Sequence, residues 1–296
     1  MEIIFLGTAC MQPTKKRNHP GILLLYKGDG LLFDCGEGIQ RQLKIAGIRP
    51  TKITKIFLTH WDGDHFFGLP GLLQTMQAAG YDHTLELYGP KGTREMFELL
   101  KKLMGRKFLL EVKVSEVKKG TIVQEEDYEI HADELKHTSP CVGFAFAERN
   151  KRKMLMSVLK KLGVPEGPLV GKLQEGKKII HQGREVAPDQ VSKVIPGRKI
   201  VYATDTRPCA GLLRLAEGAD ILILESTFKS DLEEKAKEFM HLTAREAGQI
   251  ANEAHVKKLF LTHFSQRYKD VSELEEDARD VFDNTQAAED FMKIKI

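Results

Sequence analysis

The stretch Lys55–Leu69, which reads KIFLTHWDGDHFFGL, decides how the rest of the sequence is interpreted. Its apolar run ends in Thr59, and four side chains with metal-binding atoms follow within one short loop. They are His60, Asp62, Asp64 and His65. Carboxylates and imidazoles this close together repel one another or lose hydration unless a cation lies between them. Because histidine nitrogen and aspartate oxygen are zinc- or manganese-type ligands, we predict a metal site here, with Gly63 allowing a sharp turn.

Two later stretches repeat this pattern. Lys258–His263 reads KLFLTH, nearly a copy of KIFLTH at 55–60, and Lys199–Asp205 reads KIVYATD. In a sheet covered on both faces, such apolar runs are buried strands whose carboxyl ends line the ligand-binding crevice. We therefore expect three strands to bring His60, Asp205 and His263 to one edge, in a site shared by two halves of the chain.

Composition places the chain among ordinary soluble globular proteins. Its 296 residues suffice for one large α/β domain or two smaller ones, with 42% apolar and 29% charged residues. The net charge of +3 does not by itself indicate nucleic-acid binding. No apolar segment is long enough to span a membrane, and the first residues predict a strand rather than a secretory signal.

The four cysteines are scattered and form no CxxC pair, which argues against a cysteine-based zinc site or a disulfide framework. They fit a reducing cytosol, so we expect a cytoplasmic protein without a membrane partner.

Local patterns predict strands and helices in alternation. Three runs are expected to form a meander of antiparallel strands, namely Leu110–Val117, Thr121–Val123 and Tyr128–His131. Phe67–Ala79 is expected to be helical. Another helix should begin after Thr243, with Glu246 as its capping-box partner. Asp34 follows a strand-like run, and its carboxylate could accept a hydrogen bond from the outer ring nitrogen of a metal-bound histidine.

Two segments are rich in lysine and arginine. The loop Pro13–Gly21 carries Lys15 and Arg17, and it is either a solvated loop or a phosphate-contacting one. Glu148–Pro188 carries mostly positive charge, and the glycines and prolines of 163–168 exclude a long helix through it. A segment this long with little core pattern is a disordered insertion or a functional arm, and its charge favours an arm that docks on a polyanion.

With these residues in place, the chain resembles the metallo-β-lactamase superfamily and, within it, the tRNase Z family, endonucleases that remove the 3′ trailer from precursor tRNA. The resemblance covers nearly the whole length. It includes FLGT (5–8), PTKKRN (13–18), FDCGEGIQRQ (33–42), HWDGDH (60–65), LGVPEGPL (162–169), TDTRP (204–208), ESTF (225–228), THFSQRY (262–268) and DFMKIKI (290–296). The lactamase-type pattern alone would indicate only a dinuclear hydrolase, whereas FDCGEGIQRQ, the Gly-Pro segment and HFSQRY are more specific.

The resemblance implies an α/β fold, a four-layer αββα metallo-β-lactamase sandwich with a protruding basic arm. Residues 1–296 would form a single metallo-β-lactamase-like domain, with residues 148–188 as a tRNA-binding arm inserted within it. It also implies precursor tRNA as the partner and a homodimer as the assembly.

The resemblance further implies two divalent metal ions at one edge, zinc or, given Asp62, manganese. One ion would take His60, Asp62, His137 and the bridging Asp205, and the other Asp64, His65, Asp205 and His263. Asp64 would also be the general base. His241, paired with Glu225, would supply a proton to the leaving oxygen. Lys15, Arg17 and Arg267 are candidate phosphate contacts, individually weak and together dependent on salt.

The sequence departs from the family pattern at position 62. That pattern reads H-x-H-x-D-H, and this chain has Asp62 where the second histidine belongs. A carboxylate is a harder, anionic ligand, so we expect metal binding to survive with weakened zinc affinity or an altered metal preference. Two alternatives follow: a catalytically impaired tRNA-binding variant, and a phosphodiesterase acting on a small molecule with the same fold.

Overall fold

The computed structural model describes residues 1–105 and 107–296. Its strands are β1 Glu2–Gly7, β2 Gly21–Tyr26, β3 Asp29–Phe33, β4 Ile53–Phe57, β5 Leu85–Gly89, β6 Val112–Glu116, β7 Gly120–Gln124, β8 Tyr128–Leu135, β9 Cys141–Glu148, β10 Lys151–Met154, β11 Ile179–His181, β12 Arg184–Val186, β13 Ser192–Ile195, β14 Lys199–Ala203, β15 Ile221–Glu225, β16 Leu259–Thr262, β17 Thr285–Ala287 and β18 Lys293–Lys295. Its helices are α1 Ile39–Ile45, α2 Gly63–Phe66, α3 Leu69–Ala78, α4 Thr93–Met104, α5 Met156–Lys161, α6 Pro168–Gln174, α7 Pro188–Val191, α8 Ala210–Ala216, α9 Glu233–Glu238, α10 Ala244–Glu253 and α11 Ser272–Arg279.

The first seven-stranded sheet has the order β18-β1-β2-β3-β4-β5-β6. The pairs β1–β2 and β2–β3 are antiparallel, and the strands from β3 to β6 are parallel. Apolar side chains of α1, α3 and α4, including Leu43, Leu72 and Phe97, pack on one face of this sheet. The strands are apolar at successive positions because their other face is buried as well.

The second seven-stranded sheet has the order β17-β16-β15-β14-β9-β8-β7, with β14 to β17 parallel. Helices α8, α10 and α11 cover it through a separate apolar cluster. The inner faces of the two sheets meet through aromatic side chains. The ring centroids of Phe5 and Phe260 lie 5.7 Å apart, and those of Phe57 and Phe144 5.3 Å apart. The layers are therefore helix, sheet, sheet and helix, which confirms the expected αββα sandwich.

Two expectations about strand placement are wrong. The run around β6 is not part of a meander with β7 and β8, because β6 pairs in parallel with β5 in the first sheet. Helix α4 lies between β5 and β6, and such a β-α-β crossover returns the chain in the parallel direction. The KIFLTH strand, β4, also lies in a different sheet from β14 and β16. The edge that carries the predicted ligands is thus shared by two sheets.

The expected helix starts are confirmed in part. Thr243 caps α10, since its hydroxyl accepts from Glu246 N at 3.2 Å and its own N donates to Glu246 Oε2 at 2.9 Å. Helix α3 begins at Leu69, and the extra turn α2 precedes it, so the predicted metal-binding loop is partly helical. Among the described residues, the helices are too short or too polar to cross a membrane.

Residues 125–129 and 147–198 form a second compact unit, which contains the expected arm, 148–188. Strands β10 and β13 pair antiparallel, as do β11 and β12. Leu159, Leu173 and Val191 belong to an apolar cluster of this unit's own, so the segment has a small core that the sequence pattern did not reveal. Helices α5 and α6 are separated at 162–167, as the glycines and prolines there predict.

Candidate metal and catalytic centre

The site begins with the residues that follow β4. The Thr59 N and hydroxyl both donate to the Asp34 carboxylate, at 2.8 and 2.9–3.0 Å, which fixes the chain just before the fully buried His60. The turn α2 then carries Asp64 and His65 inward. A Cβ at Gly63 would approach the ring of Phe67 to 2.5 Å, and Gly63 does not have a positive φ. Glycine is therefore needed at this turn for space rather than for a positive φ.

Three site residues adopt left-handed backbone just beyond a strand. They are Asp34 (φ 57°), Asp205 (φ 48°) and His263 (φ 62°). This region is unfavourable for residues other than glycine, and such conformations collect at functional sites where surrounding structure enforces them. The backbone just beyond these strands therefore holds the three side chains in a conformation that is uncommon for residues other than glycine.

The first ligand cluster consists of His60, Asp62 and His137, which come from the loop after β4 and the segment after β8. Oδ2 of Asp62 lies 3.6 Å from His60 Nε2 and 3.5 Å from His137 Nε2. Oδ2 of Asp205 lies 3.7 Å from His60 Nε2. The structure thus brings together two ring nitrogens and two carboxylates from three distant segments.

The second ligand cluster consists of Asp64, His65 and His263. The Nε2 atoms of the two histidines lie 3.2 Å from each other, and each lies 3.2 Å from Oδ1 of Asp205. Oδ2 of Asp64 lies 3.4 Å from His65 Nε2 and 3.5 Å from His263 Nε2. Asp205 therefore faces both clusters, one with each of its carboxylate oxygens.

The chemistry of these side chains fits a pair of divalent cations. Nε2 of His60 and Oδ1 of Asp205 are buried without a hydrogen-bond partner among the described residues, a costly state that a cation would relieve. Burial raises the pKa of Asp64 and of Asp205, but the neighbouring histidine charges outweigh it and hold both pKa values below the usual range. The neighbouring imidazoles of His137 and His60 lower the pKa of Asp62. The carboxylates are thus held ionised, as ligands must be.

Asp34 lies where the sequence predicted an acceptor. Its Oδ2 is 2.8 Å from His65 Nδ1 and accepts from the Tyr202 hydroxyl at 2.9 Å. The Thr59 hydroxyl lies 3.0 Å from His60 Nδ1 and links that ring to the same carboxylate. Sequence reasoning missed Tyr202 and Thr59, although both stand in the repeated pattern of an apolar run followed by threonine.

A second buried carboxylate, Glu225, serves the other half of the site. Its Oε2 lies 3.1 Å from His241 Nδ1 and accepts from the Thr227 hydroxyl at 2.7 Å. That hydroxyl is also 3.1 Å from His263 Nδ1. Burial lowers the pKa of His241, but the Glu225 charge more than compensates and raises it to about 9. Sequence reasoning missed Thr227, which stands in ESTF directly after β15.

Part of the site opens onto one cavity of about 530 Å³, whose wall also includes Arg267 and several apolar residues. The site residues in this wall are Asp62, Asp64, His137, Asp205, Thr227 and His241. The backbone N of Met11, also in its wall, donates to Oδ2 of Asp64 at 2.8 Å, a contact that sequence reasoning missed. Arg267 is exposed, and its guanidinium carbon lies 5.1 Å from the ring centroid of Phe228.

The other two candidate phosphate contacts do not lie in this cavity wall. Lys15 is exposed on its loop. The side chain of Arg17 is 9% exposed, and its Nη2 donates to the Tyr268 carbonyl. This contact ties the basic loop to the segment after β16, so the geometry of Arg17 favours a structural role over a phosphate contact.

Comparison with known proteins adds independent observations. Residues 176–264 match the family model described as a beta-lactamase superfamily domain, and residues 1–158 match the model described as anti-Pycsar protein Apyc1. Curated relatives cover far more of the chain than either model. Ribonuclease Z of Methanothermobacter thermautotrophicus is 42% identical, with 100% of this chain and 97% of that protein covered.

Two further relatives agree with it. Ribonuclease Z of Archaeoglobus fulgidus is 41% identical over 100% of this chain and 97% of its own. Among solved structures, the short form of human tRNase Z is similar with a TM-score of 0.74 and 30% identity, covering 100% of this chain and 99% of that one.

Proposed function

Since the chain belongs to the ribonuclease Z family of the metallo-β-lactamase superfamily, we propose that it is a metal-dependent endoribonuclease. It removes the 3′ trailer from precursor tRNA by hydrolysing one phosphodiester. The observation that carries this proposal is the pair of ligand clusters that share Asp205 along one open cavity.

The two clusters would hold two divalent ions. One ion would take His60, Asp62, His137 and Asp205, and the other would take Asp64, His65, His263 and Asp205. When bound, the ions supply positive charge that favours proton loss from an attacking water and stabilises charge developing on the phosphodiester. Zinc is the first candidate because both sets contain two imidazoles, and the oxygen of Asp62 also admits manganese.

Three side chains of this protein would transfer protons or orient the group that does so. Asp64, whose Oδ2 accepts from the Met11 amide at 2.8 Å, would accept a proton from the attacking water. His241, held by Glu225 at 3.1 Å, would donate a proton to the leaving oxygen. Glu225 keeps its carboxylate on Nδ1, which leaves Nε2 as the donating atom.

Substrate binding would involve more than the cavity. We propose that residues 1–296 act as one domain and that residues 148–188 are its tRNA-binding arm, supported by exposed cations on the second unit. They include Lys153, Lys160, Lys161, Lys172 and Arg184. Cations of this kind bind phosphates without reading sequence, and their joint contribution falls steeply with salt. Arg267 and Lys15 are the candidate phosphate contacts of the larger unit.

The assembly and compartment are also proposed. A homodimer is supported by exposed leucines on and after α4, since Leu103 and Leu109 are 82% and 81% exposed. The cytoplasm is supported by the four cysteines, which lie in the described residues and are free.

Neither alternative function is favoured. An impaired variant would need position 62 to be lost as a ligand, but the Asp62 carboxylate lies within 3.6 Å of two histidine nitrogens. A small-molecule phosphodiesterase would not need the second unit, whereas the full-length similarity to ribonuclease Z includes it.

The test compares cleavage of a trailer-bearing precursor tRNA by the whole chain and by a variant that lacks residues 152–194 of the second unit. Lys151 and Ile195 are paired directly, so a short glycine linker can replace the residues between them. We expect cleavage by the whole chain, and in the deletion variant a higher KM that depends less on salt. Equal tRNA cleavage by both proteins, with metal content retained, would favour the small-molecule alternative.

A further inference from the structure

Two phenylalanines of the catalytic cavity have no part in the proposed proton transfers or metal binding. Phe239 is 50% exposed and lines the cavity together with His241. Phe228 is buried beneath the guanidinium of Arg267, which is itself exposed. We call Phe228, Phe239 and Arg267 the aromatic shelf.

The end of α9 fixes Phe239 and His241 relative to each other. Met240 is left-handed (φ 59°), its N donates to Lys237 O at 3.3 Å, and His241 N donates to Ala236 O at 2.8 Å. These two bonds and the left-handed residue form a Schellman motif, which closes a helix with a defined geometry. The motif therefore presents an exposed aromatic ring and the proposed proton donor to one cavity.

Phe228 is anchored to the same loop. Its N donates to Leu242 O at 3.3 Å, and its carbonyl accepts from Ala244 N at 2.8 Å. The ring centroids of Phe228 and His241 lie 6.2 Å apart. All three members of the aromatic shelf line the cavity that contains His241, and the backbone holds Phe228 and Phe239 in place around that histidine.

We propose that the aromatic shelf binds the unpaired base of the nucleotide that carries the leaving oxygen. This inference rests on the proposed function and names the part of the substrate that the cavity takes. An exposed ring and a guanidinium offer stacking to any base, and proteins recognise unpaired RNA ends by such stacking. His241 would donate a proton to the leaving oxygen, so the nucleotide that bears this oxygen must approach His241. The aromatic shelf lines the same cavity and would therefore lie beside the base of that nucleotide.

The size of the cavity is consistent with this occupant. At about 530 Å³ it lies within the range of sites that hold one small ligand. One exposed apolar side chain is ordinary on a protein surface, and Phe239 gains significance from its fixed position at the proton donor.

The test combines variants of Phe239 with precursor tRNAs that lack one base. Single-turnover kcat/KM is measured for wild type, Phe239→Ala, Phe239→Leu and Phe239→Trp. The substrates are an intact precursor, one abasic at the leaving-oxygen nucleotide, and one abasic on the other side of the scissile bond. End-labelling of the products identifies which nucleotide bears the leaving oxygen.

We expect Phe239→Ala to lower kcat/KM about tenfold on the intact precursor, Phe239→Leu to lower it less, and Phe239→Trp to retain it. The decrease in kcat/KM caused by Phe239→Ala should disappear when the precursor lacks the base of the nucleotide that bears the leaving oxygen. It should remain when the precursor lacks the base on the other side of the scissile bond. Ile45→Ala is the matched control, because Ile45 is 51% exposed and lies outside the cavity.

Three outcomes would overturn the inference. One is an equal loss on all three substrates, and another is a loss that vanishes only on the other abasic substrate. The third is a changed oligomeric state with base-independent cleavage, which would assign Phe239 to a subunit contact. If wild type fails to cut the intact precursor at all, the proposed function itself fails, which is a distinguishable result.

Discussion

Oδ2 of Asp34 lies 2.8 Å from Nδ1 of His65, and the same carboxylate reaches His60 through the Thr59 hydroxyl. His60 belongs to the first ligand cluster and His65 to the second. One buried carboxylate therefore orients a ligand of each proposed metal ion. Outer partners of this kind fix the ring orientation and the tautomer of a ligating histidine.

Asp34→Asn should weaken both metal sites together. Asparagine tolerates the left-handed backbone at this position, but its amide group cannot accept from both Thr59 and His65 as the carboxylate does. We expect divalent-metal affinity to fall about 10- to 100-fold, measured by competition with a fluorescent chelator. Asp220→Asn is the control. Asp220 accepts from Lys199 N and Lys257 Nζ at the amino ends of β14 and β16, whereas the ligands Asp205 and His263 follow the carboxyl ends of these strands. Unchanged affinity in Asp34→Asn would contradict this role.

Glu225 and His241 should act as a unit. Either Glu225→Gln or His241→Ala should lower kcat about 100-fold on precursor tRNA. The second substitution removes the proton donor itself, and the first removes the carboxylate that orients the imidazole and keeps it protonated. The double variant Glu225→Gln/His241→Ala should be no slower than His241→Ala alone, since groups that act together are not additive. Additive losses in single-turnover rates would show that Glu225 acts elsewhere.

Asp62→His should move the metal preference toward zinc. The substitution replaces an oxygen ligand by a third imidazole in the first cluster, and imidazole favours zinc over manganese. We expect the ratio of zinc to manganese affinity to rise about tenfold or more, measured by equilibrating metal-free protein with both ions and determining its metal content. If wild type and variant take up the two ions in the same ratio, Asp62 is not a ligand. A large gain in cleavage by the variant would support the impaired-variant alternative.

Asp290 should make stability depend on pH. Burial raises its pKa to about 6, although bonds from Asn18 N and the Thr8 hydroxyl oppose the shift. A carboxyl with a raised pKa binds its proton more tightly in the folded state. Its stabilising contribution is therefore complete below about pH 4 and lost as the pH rises through about 6.

Asp290→Asn removes this titration and provides the comparison. Relative to the variant, wild type should lose about 2–3 kcal/mol of unfolding free energy between pH 4 and pH 7. Denaturant unfolding at both pH values measures the difference. A constant difference between wild type and variant would mean that Asp290 titrates normally.

The sequence was informative where several candidate functional side chains lie close together along the chain. His60, Asp64 and His65 stand within six positions of the sequence, and a ligand set this local predicts a metal site without knowledge of the fold. The capping box of Thr243 and Glu246 could be predicted for the same reason, since both partners lie within four residues. The local patterns predicted only strands and helices in alternation, and the αββα sandwich was what the family resemblance implied.

The sequence was uninformative where the relevant contacts are distant. Tyr202 reaches Asp34 across 168 positions, and nothing local marks its hydroxyl as a partner. The left-handed backbone of Asp205 and His263 could not be predicted either, because Asp and His adopt it only in particular tertiary surroundings. Arg17 was expected on a phosphate because its loop is basic, but burial against Tyr268 depends on a segment 251 positions away. The sheets to which β4 and β6 belong were predicted wrongly for the same reason, since the strands that pair with them cannot be identified from their local sequence.

The central claim is that distant parts of this chain converge on Asp205 to hold two cations. The most direct measurement is the metal content of purified wild type and Asp205→Ala after equilibration with zinc and, separately, with manganese. We predict two ions per wild-type chain and loss or strong weakening of both in the variant, because Asp205 faces both clusters. Wild-type protein that binds neither metal, or a variant that still binds two ions with unchanged affinity, would contradict the account.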